Sequence, residues 1–223
     1  MTHNISFAGQ VFCVAGDAAL YWPVQKALLV ADLHLEKASA YAQAGQMLPP
    51  YDSLSTLQDL ARLAKGCQAS TIICLGDNFH DMGGEQRLSG EAADLLRYLT
   101  RQFDWTWITG NHDPHLSGRW GGHSVLEYRA EGIILRHEAD PTDAQPEISG
   151  HYHPKYRAFM RRRLISRRCF VQTPTKIIMP AFGALTGGMD AGHRAIRNAC
   201  GLAESDMMAA LVPVNSGLTR FAI

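Results

Sequence analysis

No acidic residue interrupts the stretch from Lys155 to Lys176, although the chain as a whole carries as many Asp and Glu as Lys and Arg. Lys155, Arg157, Arg161, Arg162, Arg163, Arg167, Arg168 and Lys176 fall there together, eight of the 21 basic residues, which leaves 13 elsewhere against 21 acidic ones. Overall neutrality thus hides a basic stripe on an otherwise acidic protein. No apolar run approaches the roughly 18 residues that a membrane helix requires, and no basic segment followed by a sustained apolar one stands at the start. The expectation is a cytoplasmic protein with no membrane partner. The five cysteines, Cys13, Cys67, Cys74, Cys169 and Cys200, are odd in number and far apart, which argues against a disulfide-stapled scaffold. Internal repeats and low-complexity tracts are absent too, and 223 residues suit one sizeable core and a single domain spanning 1–223.

Hydrophobic periodicity gives the organisation of the first half. Apolar, β-branched or aromatic runs at Ala27 to Ala31, Thr71 to Leu75 and Trp105 to Thr109 read as buried strands. Between them, Tyr51 to Lys65 and Glu91 to Thr100 carry apolar residues at helical spacing, with Asp52 or Ser53 near the cap of the first. Phe7 to Val14 and Leu20 to Trp22 suggest an antiparallel pair at the start. Beyond His115 the helical signal fades. Short strands are expected at Ser124 to Arg129, Gly132 to Arg136, Arg157 to Met160, Cys169 to Gln172 and Lys176 to Met179, with a hairpin of Ala209 to Asn215 and Leu218 to Ala222 around a Ser-Gly turn. Pro49-Pro50 and Gly83-Gly84 read as loop punctuation. The fold class is α/β, an α+β sandwich of two packed mixed sheets flanked by helices.

Five stations carry the chemistry: Asp32-Leu33-His34, Gly76-Asp77-Asn78-Phe79-His80, Gly110-Asn111-His112-Asp113, His137, and Gly150-His151-Tyr152-His153. The first three follow the strands of the first half, the edge at which α/β folds build sites. On a strand, residues i and i+2 share a face, so Asp32 with His34 and His151 with His153 would point into one cavity. Asp32, His34, Asp77, Asn111, His137, His151 and His153 supply donors for two metal ions. With no thiolate among them, the set favours Mn²⁺, with Zn²⁺ or Fe as alternatives. Any one of these histidines alone would be an ordinary core or surface residue; their order along the chain makes the set.

These five blocks, in this order from Ala31 to about Pro154, resemble the metallophosphoesterase superfamily, the calcineurin-like phosphoesterases. The resemblance implies a four-layered sandwich in which Asp32, His34, Asp77 and His153 hold one metal and Asp77, Asn111, His137 and His151 the other. Asp77 would then bridge, and His112 would be the catalytic histidine outside the ligand set. A nearer resemblance, to the bacterial DNA ligase-associated metallophosphoesterases, rests on Ala31 to Lys37, Leu135-Arg136-His137-Glu138, Gly150 to Pro154 and Pro180 to Gly188. It extends over nearly the whole chain and implies a DNA-repair nuclease or phosphodiesterase that works beside a DNA ligase or helicase. One departure stands out: where phosphatases often place Asp three residues after the bridging aspartate, this chain has His80, as in the nuclease branch.

The reading that follows is a dinuclear metal-dependent phosphoesterase acting on phosphodiesters, with DNA as substrate. The alternatives are a small-molecule or cyclic-nucleotide phosphodiesterase, a phosphomonoesterase, and a non-catalytic scaffold on the same fold. His123 competes with His137 as a ligand. His80 is read as a catalytic residue that orients His112 or contacts phosphate, while Asp81 and Asp113 are candidate acceptors for an imidazole. Arg161, Arg162, Arg163, Arg167 and Arg168 are candidates for a phosphate-backbone track, set against a merely solvated hairpin tip. Tyr156, Phe159 and Phe170 could stack on bases or pack in the core. The Gly183 to Gly188 segment reads as a tight turn, or alternatively as a backbone nest for phosphate.

Overall fold

The computed structural model describes residues 4–160, 163–215 and 217–223, so Arg161, Arg162 and the Ser216 of the last turn lie outside the described residues. A first sheet runs in spatial order through β1 (Asn4–Phe7), β2 (Gln10–Ala15), β3 (Ala19–Trp22), β4 (Ala27–Val30), β5 (Thr71–Leu75), β6 (Asp104–Ile108) and β7 (His123–Val125). Its first four strands form an antiparallel meander, in which β1 is a strand added to those expected, and β4 to β7 are parallel. The crossovers between β4, β5 and β6 carry α1 (Lys37–Gln43), α2 (Asp52–Gly66), α3 (Gly84–Arg87) and α4 (Gly90–Gln102).

The expected single strand from Ser124 to Arg129 divides at Leu126, and its second part leaves for another sheet as β8 (Glu127–Ala130). That sheet also contains β9 (Ile133–Arg136) and β10 (Glu147–Ser149). The chain then forms β11 (Pro154–Met160) and β12 (Arg163–Arg168), an antiparallel arm, before returning to the second sheet with β13 (Phe170–Gln172) and β14 (Lys176–Ile178). A short β15 (Met189–Asp190) pairs in parallel with β11, α5 (Arg194–Ala199) follows, and β16 (Ala209–Val214) and β17 (Gly217–Ala222) close the second sheet as an antiparallel hairpin.

Alternation along the strands separates the layers. On β4 and β5, Leu28, Val30, Ile72 and Cys74 face Leu57, Leu60, Ala64, Leu96 and Leu99 of α2 and α4. Their neighbours Leu29, Ile73 and Leu75 face the second sheet, meeting Ile133, Leu135, Ile148, Phe170 and Ile177. The far side of the second sheet packs Val171, Ile178 and Ala210 against Ile196 and Ala199 of α5. Each strand is apolar on both faces because it lies between two layers. Helix, sheet, sheet, helix is the four-layered arrangement that the pattern implied.

Helix α1 has no apolar periodicity and was not legible in the sequence, since Ala38 is its one buried residue. Tertiary contacts hold its entrance: Ser53 Oγ accepts from the Glu36 N–H at 2.8 Å and Asp52 Oδ2 accepts from the Ala38 N–H at 3.0 Å. Asp52 and Ser53 therefore cap α1 rather than their own helix. Gly84, read as loop punctuation, lies inside the short α3.

Candidate functional site

The strands β4, β5 and β6 end one after another along a single sheet edge, which places the first three stations side by side. Backbone hydrogen bonds join the first two, with the N–H of His34 donating to Asp77 O at 2.9 Å and that of Leu35 to Asn78 O at 2.9 Å. Asp113 ties the second to the third: its Oδ2 accepts from the N–H groups of Asn78 and Phe79 at 2.8 and 3.1 Å, and its Oδ1 from that of Gly110 at 3.0 Å. Burial pushes the Asp113 carboxyl up to about 6 against the pull of those donors. Asp113 is thus a loop clamp, and it orients no imidazole. Asp81 is likewise engaged elsewhere, in an ion pair with Arg87 at 2.8 Å.

Asp32 and His34 lie beyond the end of β4, so strand pleating does not bring them together. Instead Asp32, His34, Asp77, His151 and His153 all have positive φ, between 44° and 70°. Left-handed backbone at non-glycine residues costs about 1–3 kcal/mol each and concentrates where a site over-determines the conformation. Two glycines allow the approach. A Cβ at Gly76 (φ +76°) would overlap the His137 imidazole, and one at Gly150 would stand 2.6 Å from Asp32 Oδ2.

Two donor groups result. Asp32, His34 and His153 form one, with His34 Nε2 at 3.3 Å from His153 Nε2 and His153 Nε2 at 3.4 Å from Asp32 Oδ1. Asp77, His137 and His151 form the other, with His137 Nε2 at 3.1 Å from His151 Nδ1 and 2.9 Å from Asn111 Oδ1. Asp77 looks both ways, its Oδ1 at 3.4 Å from His137 Nε2 and its Oδ2 at 3.8 Å from His34 Nε2. The seven sequence-derived donors therefore lie together in two adjoining groups.

The protonation pattern fits cations. His137 donates its Nδ1–H to Leu75 O at 3.1 Å, which turns its Nε2 toward Asn111 Oδ1. Burial, and then the neighbouring His153 and His112, lower the His34 pKa to about 2, so its imidazole is neutral and able to ligate. Burial, and then His137, lower that of His151 in the same direction.

His112 stands at the rim, outside both groups. Its backbone N–H donates to Asp77 Oδ1 at 2.9 Å, and its Nδ1 donates to the backbone carbonyl of His80 at 2.6 Å. Nε2 is therefore the free nitrogen, 3.9 Å from Asp77 Oδ2. His80 positions His112 through that carbonyl and stacks on its ring, centroids 5.4 Å apart. Burial, and then Lys37, lower the His80 pKa. His34, His80 and His112 also bring their ring nitrogens close together, though two of the three belong to this rim. His123, exposed on the edge strand β7, lies outside these groups.

The basic stripe divides in two. Arg168 donates to Gly183 O at 2.7 Å and pairs with Asp17, while Lys155 and Arg157 donate to the carbonyls of Thr186 and Gly188. Arg168 is thus an anchor for the 183–188 segment and not a free phosphate contact. At the start of that segment the N–H groups of Gly183 and Ala184 are taken by Asp32 O and Thr56 Oγ1, so those two are not free for a phosphate. Arg163 and Arg167 remain exposed on β12. Of the aromatic candidates, Tyr156 stacks on Phe221 and Phe170 is buried, whereas Phe159 is exposed.

None of the curated proteins matches the chain. Among solved structures it is similar to the Pseudomonas putida nuclease MPE, at 28% identity and a TM-score of 0.72 over 94% of this chain and 96% of that one. It is also similar to YfcE, a phosphoesterase from E. coli, at 14% identity and a TM-score of 0.44 over 88% of this chain and 98% of that one. Residues 26–174, which hold every donor described above, match the family model of the calcineurin-like phosphoesterases, and the chain belongs to that family.

Proposed function

We propose that this metal-dependent phosphoester hydrolase is a nuclease or phosphodiesterase that cleaves phosphodiester bonds of DNA, in one domain spanning 1–223. In this reading Asp32, His34, Asp77 and His153 hold one divalent ion, Asp77, Asn111, His137 and His151 hold a second, and Mn²⁺ is the preferred metal given a donor set of carboxylates, imidazoles and one amide. The observation that carries it is the Asp77 carboxylate, with one oxygen toward each donor group. A pair of ions held there supplies the charge that neutralises phosphate oxygens and activates water.

The protein's own contribution centres on His112. Its Nδ1–H is committed to the His80 carbonyl, so Nε2 is the atom that takes up and releases a proton toward the substrate. The imidazolium gives that proton to the departing alcohol oxygen. The Asp77–His112 backbone hydrogen bond fixes this residue to the metal-binding carboxylate, so the acid and the scissile phosphate share one frame. Arg163 and Arg167, exposed and without an ion pair among the described residues, would contact the strand beyond the cut.

DNA as the substrate is supported by the nuclease among the similar structures and by the resemblance to ligase-associated relatives, which also supports work beside a ligase or helicase in repair. The engagement of Lys155, Arg157 and Arg168 in the fold favours the rival, a small phosphodiester, because it leaves fewer free cations. Turnover by Mn²⁺-loaded protein decides: single- and double-stranded DNA, RNA, cyclic nucleotides, and an aryl phosphodiester against its monoester. Cleavage of DNA is expected; hydrolysis of the monoester alone would refute the reading.

A further inference from the structure

Helix α1 leaves the end of the first station and returns along the rim of the site, and two of its side chains are unused by the metal chemistry. Lys37 and Tyr41 stand four residues apart and so share a face of the helix. That face looks toward His80: the Tyr41 and His80 ring centroids are 5.7 Å apart, and Lys37 Nζ is 5.8 Å from the centre of the Tyr41 ring. His80 in turn stacks on His112. Three rings therefore lead outward from the proton-donating histidine, with a cation at their far end.

Nothing in the fold accounts for that cation. Lys37 is half-buried and forms no ion pair among the described residues. Asp52, the carboxylate whose charge acts on Lys37, forms no direct ion pair with it and accepts from the Ala38 N–H at 3.0 Å, while Glu36 accepts from Ser53 Oγ at 2.9 Å. Tyr41 is half-buried as well, and its hydroxyl has no hydrogen-bond partner among the described residues. A partly desolvated ammonium with no direct ion pair among the described residues, beside a half-buried aromatic ring, matches the two ends of a nucleotide, one anionic and one flat.

Building on the nucleic-acid reading above, we infer that Lys37 and Tyr41 form a subsite for the nucleotide next to the scissile phosphodiester. Tyr41 stacks on its unpaired base and Lys37 pairs with its phosphate. A base must be out of a duplex to present its face to the ring, so the subsite selects strands that are single at the cut. Its contribution is to the choice of substrate, since neither residue belongs to the two donor groups.

The test compares the Mn²⁺-loaded wild type with Tyr41→Ala, Tyr41→Phe and Lys37→Gln on two substrates. One is a single-stranded DNA oligonucleotide; the other is methyl 4-nitrophenyl phosphate, which has one phosphate and no base. The readout is the ratio of kcat/KM on the oligonucleotide to that on the small diester. Tyr41→Ala should lower this ratio about 5- to 150-fold, the worth of one stacked base, and Tyr41→Phe should restore it. Lys37→Gln should flatten the salt dependence of oligonucleotide binding by about 0.7 in the log–log slope, one phosphate contact on a single strand. A ratio unchanged in Tyr41→Ala overturns the subsite while leaving the nuclease reading intact. A wild type that hydrolyses the small diester and never the oligonucleotide overturns the nucleic-acid reading, and the subsite with it.

Discussion

Replacing His112 with Asn should separate proton transfer from metal binding. The hydrogen bond that ties this residue to Asp77 comes from its backbone, so it survives the substitution, and no side-chain donor of either group is removed. What disappears is Nε2 and the Nδ1 contact to the His80 carbonyl. Loss of a positioned acid slows turnover about 10²- to 10⁴-fold, which corresponds to about 3 to 5 kcal/mol of barrier. Loss of one hydrogen bond costs about 0.5 to 1.5 kcal/mol of stability, a fall in Tm of only about 1 to 6 °C in a protein of this size. The assay measures metal content by elemental analysis alongside kcat on two diesters, one leaving as 4-nitrophenolate and one as an alkoxide. Two ions should remain bound, and the deficit should be larger for the alkoxide, which needs the proton more. An equal deficit on both substrates would refute the acid role, and loss of an ion would make His112 a ligand.

Asp77→Asn should lower the content of both metals together with activity, because each donor group loses the same carboxylate; one metal retained at full occupancy would show that Asp77 does not bridge. Gly76→Ala should displace the His137 ring and weaken metal binding, as followed by Mn²⁺ titration, since the new Cβ overlaps the imidazole at a positive φ. Lys176→Met should cost about 1.5 to 3 kcal/mol in urea unfolding, because the fully buried Glu147 loses the ammonium 2.9 Å from its carboxylate and keeps only the longer Arg136 pair at 3.6 Å and the Asp140 N–H. Burial already raises the Glu147 pKa, so the proton that neutralises it in acid should narrow the gap between variant and wild type as pH falls, and a gap that widens would refute this. Replacing Arg163 and Arg167 with Ser should weaken DNA binding and flatten its salt dependence, while an unchanged affinity would return both to solvated surface.

The sequence by itself determined the layers and the donors. Alternation in Ala27 to Val30 and Thr71 to Leu75 dictates two buried faces, because strands expose side chains with period two whatever surrounds them. The ordered stations dictate the metal chemistry, because carboxylate, amide and imidazole groups are legible as residue types. Tertiary structure alone decided how those donors converge. Asp32 with His34, and His151 with His153, meet through left-handed loop backbone that neighbouring loops enforce, and no local propensity announces it. It also decided what each polar group does: Asp113 became a clamp, Arg168 an anchor, and Lys37 a cation over the Tyr41 ring on a helix with no periodicity to reveal it. A side chain's chemistry is local and can be read from its letter. Its partners come from distant parts of the chain, brought together by the packing of the whole core.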